Sequence, residues 1–310
     1  MSYQLTDFLF VCDNYNNRIV KLLSSDLSYI DEWHGAGVGY NLYYPNRILF
    51  VDNYLYISDT NNRIYKVLVT ADSWSLEAMI GGPGSDNNQF TDPHGMTVFG
   101  DYLYIMDSNN HRLMKRNLSD LSYAGKVGSQ GAGINQFNRP YGVSNDNDHL
   151  LVCDTSNNRI VVRNFDLSYI TQFGFTGNGQ ENYLSPATVH LYPPYFFVAD
   201  GANGRIIKRR ASDYSFVSSF GTPGTGNDQF SGLQGLAIDG PYLYVADNDN
   251  HRIHKRLVSD MSLIQIGGVT GSAGHSHAGE TLKFSHPTGV AVRRLPIFAF
   301  EQSNYSLIIG

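Results

Sequence analysis

One phrase of about eleven residues is written six times along this 310-residue chain, and it restricts the possible folds more than any other feature. It reads LFVCDNYNNRI around Asp13, LYISDTNNRI around Asp59, LYIMDSNNHRL around Asp107, LLVCDTSNNRI around Asp154, FFVADGANGRI around Asp200 and LYVADNDNHRI around Asp247. Successive aspartates lie 46, 48, 47, 46 and 47 residues apart. An arginine follows five residues later in each copy (Arg18, Arg112, Arg159, Arg205, Arg252), or four later in the second (Arg63). A fixed period of this size marks a structural array, so each residue has to be read against its repeat.

Within one period the text resolves into short strands. After the glycine-rich GTPGTGNDQF comes the apolar run Gly235 to Ile238, then the turn Asp239-Gly240-Pro241, then the alternating Tyr242 to Ala246. The Asp-Asn loop, a strand from Arg252 to Leu257 and a last strand from Met261 to Ile266 complete the unit. Four antiparallel strands in about 47 residues, with no helical periodicity, predict one blade of an all-β propeller. Abundant Gly (31), Tyr (21) and Phe (17) with only 16% charged residues suit short strands and tight turns. An apolar side chain recurs three residues before a proline-like position: Leu42, Phe90, Phe137, Tyr183, Phe230 and Phe284. These are expected to plug the seams between blades.

The D-x-x-x-N-x-R-I/L phrase, the G-x-G-x-x-x-Q-F loop and the P-x-G-V-A-V strand resemble the NHL repeat over residues 8 to 292. Asn46-Arg47-Ile48 and Ala187-Thr188-Val189 depart from it by lacking the usual glycine. The resemblance implies a six-bladed β-propeller of four-stranded antiparallel blades. The first copy has a poor inner strand of its own, while Gly289 to Val292 is a good inner strand without a blade. The C-terminal strand is therefore expected to close the ring on the first blade, removing open sheet edges. Residues 297–309 align with a degenerate seventh copy, so seven blades with the last incomplete is the alternative. The expected organisation is one propeller domain over 1–310, with 294–310 as extra strands.

Net charge is −6, which disfavours a nucleic-acid partner. Lys115-Arg116, Lys208-Arg209-Arg210 and Lys255-Arg256 recur at one point of the repeat and read as the solvated face of a strand. There is no run of 18 apolar residues to span a membrane and no signal-peptide pattern, which makes the cytoplasm the default location. Asn117-Leu-Ser119 and Asn304-Tyr-Ser306 are sequons that matter only outside the cell. Cys12 and Cys153 fall in blades on opposite sides of a ring of six, too far apart for a disulfide, and read as small core fillers.

The repeated Asp and Arg are read as turn and bridging chemistry, because a catalytic pair is needed once. Function in an array is sought where the copies differ. The entry position of the inner strands reads Asn46, His94, Tyr141, Ala187, Gln234 and Thr288, a mixed set converging on one axis, and the polar members are candidates for a small-ligand site at the channel mouth. A long loop carries His275 and His277, with His286 beyond it; alternate residues of an extended segment share a side, as a zinc site would need. NHL-like amidating lyases with channel histidines make a metal-dependent lyase or hydrolase, using these and His94, the competing reading. Asn145-Asp146-Asn147-Asp148 and Asp247-Asn248-Asp249 resemble calcium-loop fragments but lack the glycine and closing glutamate, so zinc or calcium is not the primary expectation. The leading expectation is a non-enzymatic binding or scaffold module. It would engage a protein or small ligand through the loop-bearing face, where Tyr40, Tyr43, Tyr44, Tyr141 and Tyr183 would supply contacts. A structural subunit of a larger particle, self-associating through terminal strands, is a third reading.

Overall fold

The computed structural model describes residues 7–37, 39–70, 73–274 and 281–293. Its strands form six four-stranded antiparallel sheets around a central axis. Blade 1 joins Pro287–Arg293 to Phe8–Asp13, Arg18–Leu23 and Tyr29–Trp33; blade 2 is Pro45–Val51, Tyr54–Asp59, Arg63–Val69 and Trp74–Gly81. Blade 3 is Pro93–Phe99, Tyr102–Asp107, Arg112–Asn117 and Tyr123–Val127; blade 4 is Val143–Asn145, Leu150–Asp154, Arg159–Arg163 and Tyr169–Phe173. Blade 5 is Pro186–Tyr192, Tyr195–Asp200, Arg205–Arg210 and Phe216–Phe220; blade 6 is Leu233–Asp239, Tyr242–Asp247, Arg252–Leu257 and Leu263–Gly268. The first strand named in each is innermost. Blade 1 is closed as expected, with Val290 opposite Val11. The segment aligned with a seventh copy lies outside the described residues.

The repeated phrase builds the latch between blades. Each aspartate ends the second strand of its blade and pairs across the sheet with the residue that opens the third, as Asp154 does with Arg159. The carboxylates are fully buried. Asp154 accepts the Asn138 backbone N–H at 2.7 Å, the Asn157 amide at 2.8 Å and the Arg159 Nε at 2.7 Å. The same guanidinium reaches back to the carbonyls of Ala132, Gly133 and Gln136 in the glycine-rich connection. Blades 1, 3, 5 and 6 repeat the Asp–Arg pair at 2.7–2.8 Å. In blade 2, where arginine comes one residue early, the Tyr65 hydroxyl donates to Asp59 instead, at 2.9 Å. Burial raises the Asp59 pKa to about 6, against the hydrogen bonds it accepts from Tyr65 and from the backbone N–H groups of Tyr43 and Arg63.

The seam plugs are where the spacing places them. Phe90, Phe137, Tyr183, Phe230 and Phe284 are fully buried and Leu42 nearly so. Each aromatic sits on a glycine with positive φ: a Cβ at Gly221 (φ +98) would come 2.6 Å from the Phe230 ring, and one at Gly128 (φ +129) 2.9 Å from Phe137. Only glycine combines that dihedral with that approach.

The basic pairs correct the expectation of a solvated face. Arg116, Arg209, Arg256 and Lys255 are 0–3% exposed, while Arg210 is exposed. A propeller blade is covered on both faces by its neighbours, so strand alternation has no solvent side here. The arginines lie over the plugs, 5.3 Å from Phe90 and 5.5 Å from Phe230 for Arg116 and Arg256. The lysines lie over strand tyrosines, Lys115 at 3.8 Å from the Tyr102 ring centre, and cross to the next blade, where Lys115 reaches the Phe165 carbonyl at 3.0 Å. Cation–π contact and carbonyl bonds replace water around each charge.

The last strand of blade 6 starts at Leu263 rather than Met261. Met261 is left-handed at φ +63, like Leu27, Leu121, Leu167 and Tyr214 at the same point of blades 1, 3, 4 and 5. In each, the preceding aspartate accepts the N–H of the following serine, as Asp260 does from Ser262 at 2.9 Å. The turn puts an apolar side chain inward and offers its carbonyl to the buried arginine, Met261 to Arg256 at 2.7 Å.

Removing one latch carboxylate strands its arginine in the interior. Asp154→Ala is expected to cost about 3–5 kcal/mol, the scale for breaking one side of a buried pair, read as a lower urea midpoint; an unchanged midpoint would contradict the latch. Phe137→Ala is expected to cost a similar ~3–5 kcal/mol through the cavity it opens between blades 3 and 4.

Candidate functional site

Antiparallel order puts the entry ends of the inner strands, the Asp-Asn loops and the glycine-rich connections on one face. Strand hairpins and the Asp-x-Ser turns occupy the other. The inner strands approach one another most closely at the third position of their motif. A Cβ at Gly95 would come 2.5 Å from the Tyr141 carbonyl oxygen, one at Gly142 2.7 Å from that of Ala187, and one at Gly289 2.9 Å from the Arg47 Cα. Blades 2 and 5 place Arg47 and Thr188 at this ring of glycines.

Arg47 is 6% exposed. Its Nη1 donates to the Asn46 carbonyl at 3.0 Å, and its Nη2 crosses to blade 6 to reach the Gln234 Oε1 at 2.8 Å. Among the described residues its Nε has no partner, as is also true of the Nε of Arg116, Arg163, Arg209 and Arg256. Every repeat arginine that pairs with its aspartate through Nε has a carboxylate at 2.7–2.8 Å, and Arg47 makes no such ion pair. Burial pushes its pKa below the ordinary arginine value. Next to it, His94 is stacked on Tyr141 with ring centres 4.1 Å apart and planes 3° from parallel. Its Nε2 meets Asp92 at 3.3 Å, while its buried Nδ1 has no partner. Burial holds this histidine below its usual pKa, against the opposing pull of Asp92.

The five channel-mouth candidates therefore divide. Asn46 and Thr288 are spent on the ring: the Asn46 amide donates to the Pro93 carbonyl at 3.1 Å and the Thr288 hydroxyl to the Pro45 carbonyl at 3.0 Å. Ser108 and Thr155 make the same kind of bond to Pro140 and Pro186. His94, Tyr141 and Gln234 remain grouped around Arg47. A mouth pocket of about 340 Å³ includes Tyr141, Ala187, Gln234 and Asp249 in its wall. Arg47 also borders an axial cavity of about 210 Å³ whose wall, contributed by all six inner strands, includes Ile48, Met96, Val189 and Leu236. His190 stands in that wall, its pKa pushed down to about 4 by burial. Sequence reading noted Arg47 only as a departure from glycine. The signal was that it is the one charged residue at that position.

The histidine proposal divides as well. His275 and His277 lie outside the described residues. His286 donates its backbone N–H to the His251 Nδ1 at 3.2 Å and lays its ring against Tyr15 at 4.1 Å. Among the described residues no three His, Cys, Asp or Glu side chains converge as a metal site requires. Asp146 accepts the N–H groups of Asp148 and His149, which is turn chemistry. Tyr15, Tyr44 and Tyr43 continue from His286 as a ridge on the loop-bearing face, with ring centres 5.3 and 4.4 Å apart. Tyr15 and Tyr43 are 57% and 47% exposed. Tyr183, expected among the contact tyrosines, is instead fully buried as a seam plug. No described helix is long and apolar enough to cross a membrane.

A family model, the LVIVD repeat, matches residues 94–113 and 233–251, which run from the inner strands of blades 3 and 6 towards their third strands. The chain resembles a chain of the nidogen/laminin complex at TM-score 0.66 and 12% identity, covering 92% of this chain and 98% of that one. It is similar to a protein of unknown function from Bacteroides caccae at TM-score 0.66 and 11% identity, covering 94% and 100%. A functionally unknown protein from Desulfotomaculum acetoxidans DSM 771 matches at TM-score 0.59 and 11% identity, covering 92% and 98%. No curated protein sequence matches. These similarities support a β-propeller repeat family.

The channel histidine makes stability depend on pH in a definite sense. Above about pH 6.5 His190 is neutral whether the chain is folded or not. Between there and its folded value of about 4, the unfolded chain takes a proton that the folded channel refuses, so stability falls on acidification. His190→Gln is expected to recover about 1–2 kcal/mol at pH 4.5 relative to wild type and nothing at pH 8, measured by urea unfolding at both values.

Proposed function

We propose that the protein is a non-enzymatic binding or scaffold module built from NHL-type repeats, engaging a protein or a small ligand through its loop-bearing face. The carrying observation is the contrast between what repeats and what does not. The recurring Asp–Arg pairs are consumed in latching blades together, whereas the unlike residues Arg47, His94, Tyr141 and Gln234 gather at one mouth on that face. The ridge beside it, with Tyr15 and Tyr43 exposed and Tyr44 half-buried between them, has the aromatic composition favoured in the centre of interfaces. The repeated D-x-x-x-N-x-R phrase supports the NHL assignment. The likeness to a chain observed in a complex of nidogen with laminin is compatible with a protein partner.

A photo-cross-linking amino acid at Tyr43, on the loop-bearing face, is expected to give a discrete adduct in the native extract. The same group at Tyr123, at the start of the last strand of blade 3, is expected to give none. Adducts of equal yield from both positions, or from Tyr123 alone, would refute the assignment of the face.

A further inference from the structure

Among the described residues, the hub holds a buried cation with no carboxylate in ion-pair contact. Arg47 is buried to a degree at which an uncompensated guanidinium is strongly destabilising. The latch arginines have their charge answered by carboxylates, and Arg116 and Arg163 by a plug ring and carbonyls, although the Nε of each of these two also lacks a partner among the described residues. Arg47 has neither a carboxylate nor a ring over it among the described residues: it meets the Asn46 and Gln234 carbonyls and the Gln234 side-chain amide, all neutral, and its Nε has no partner there. Asp92, the acid nearest the hub, already receives His94 and the Asn46 amide at 3.2 Å. The interior of the repeat does not require the residue either, because blades 1, 3, 4 and 6 place glycine at this position.

The geometry points to a ligand that supplies the missing charge: we propose that Arg47 is the anchor of an axial site for a small organic carboxylate with an apolar body. This deepens the binding-module reading and rests on it. A carboxylate matches the guanidinium fork, the Nε edge included, with two parallel charge-assisted bonds. Beneath the charge, the cavity of about 210 Å³ mixes the aliphatic Ile48, Met96, Val189 and Leu236, which suit a short hydrocarbon segment, with the polar Thr97, Ser144, Thr188 and His190. On the mouth side of Arg47, Tyr141 lines the neighbouring pocket with His94 stacked on it, a rigid pair of rings above the axial cavity. Gln234 holds the guanidinium in place from blade 6.

The test is thermal unfolding and calorimetry of the full chain with sodium butyrate, its neutral counterpart butyramide, and inorganic phosphate. Butyrate is expected to raise the melting temperature of the wild type saturably, and neither butyramide nor phosphate to match it. Arg47→Met is expected to weaken butyrate binding at least about tenfold, the scale of one lost charged hydrogen bond, while melting no lower than wild type without ligand. If that variant does not fold, Arg47→Gly returns the residue the sister blades carry and takes its place. Phosphate binding tighter than butyrate, butyrate binding undiminished in the variant, or a variant that folds but melts well below the wild type would overturn the proposal. The Tyr43 cross-link separates the two readings. An intact adduct with no butyrate effect refutes the carboxylate site alone, and saturable butyrate binding without an adduct refutes the ridge as the partner surface.

Discussion

A buried carboxylate holding a backbone loop is the interaction on which this propeller depends. Sheets that pack face to face around an axis gain most of their stability from apolar burial, which has no directional preference and would tolerate sliding. The aspartate at the end of each second strand supplies the direction. It takes a backbone N–H from the glycine-rich connection sixteen residues earlier, and its arginine returns to the carbonyls of that connection. The connection then carries a plug ring to the seam, and the plug is covered by the second buried arginine of the repeat. Each blade is thereby tied to its predecessor through charge, ring and loop together.

The latch explains why this chain buries so much positive charge without being basic. Lysines and arginines of the third strand lie between blades, over aromatic rings, with carbonyls replacing water. Their role is cohesion. The closure of blade 1 by Pro287–Arg293 extends the scheme around the ring, since Lys255 of blade 6 donates to the Ser24 carbonyl of blade 1 in a bond of 2.6 Å. Against this uniform rim the hub is irregular. Four glycines let the inner strands meet, and two blades insert a side chain, one of them charged. An irregularity at the position of closest approach is costly, and the charged one is Arg47.

Much of this was legible in the text. The 46–48-residue period, the strand-turn alternation and the orphan strand Gly289 to Val292 led to six blades and their closure, because each is a statement about local pattern and edge pairing. The seam plugs followed from their fixed distance to proline. The candidate site was legible in part: Tyr141, Gln234 and His94 do group at the mouth, whereas Asn46 and Thr288 differ among copies yet perform a shared task, bonding a proline carbonyl of the next blade. The basic pairs misled for a definite reason. Alternation along a strand signals an exposed face only when one face of the sheet is open, and here both are covered. The left-handed Met261 and its equivalents were missed because nothing in a leucine or methionine announces a positive φ; the flanking Asp and Ser create it.

The amino-acid sequence by itself determined the unit and its period and pointed to the strand that closes the ring, since these depend on residues near one another in the chain or on a recurring phrase; between six blades and seven, it was the structure that showed six. The tertiary structure alone decided which charges are buried, which polar residues are already engaged, and that Arg47 of blade 2 faces Gln234 of blade 6 across the axis. Those facts depend on the radius of the ring. The distance between inner strands at the hub follows from how all six blades pack at once, and no single repeat encodes it.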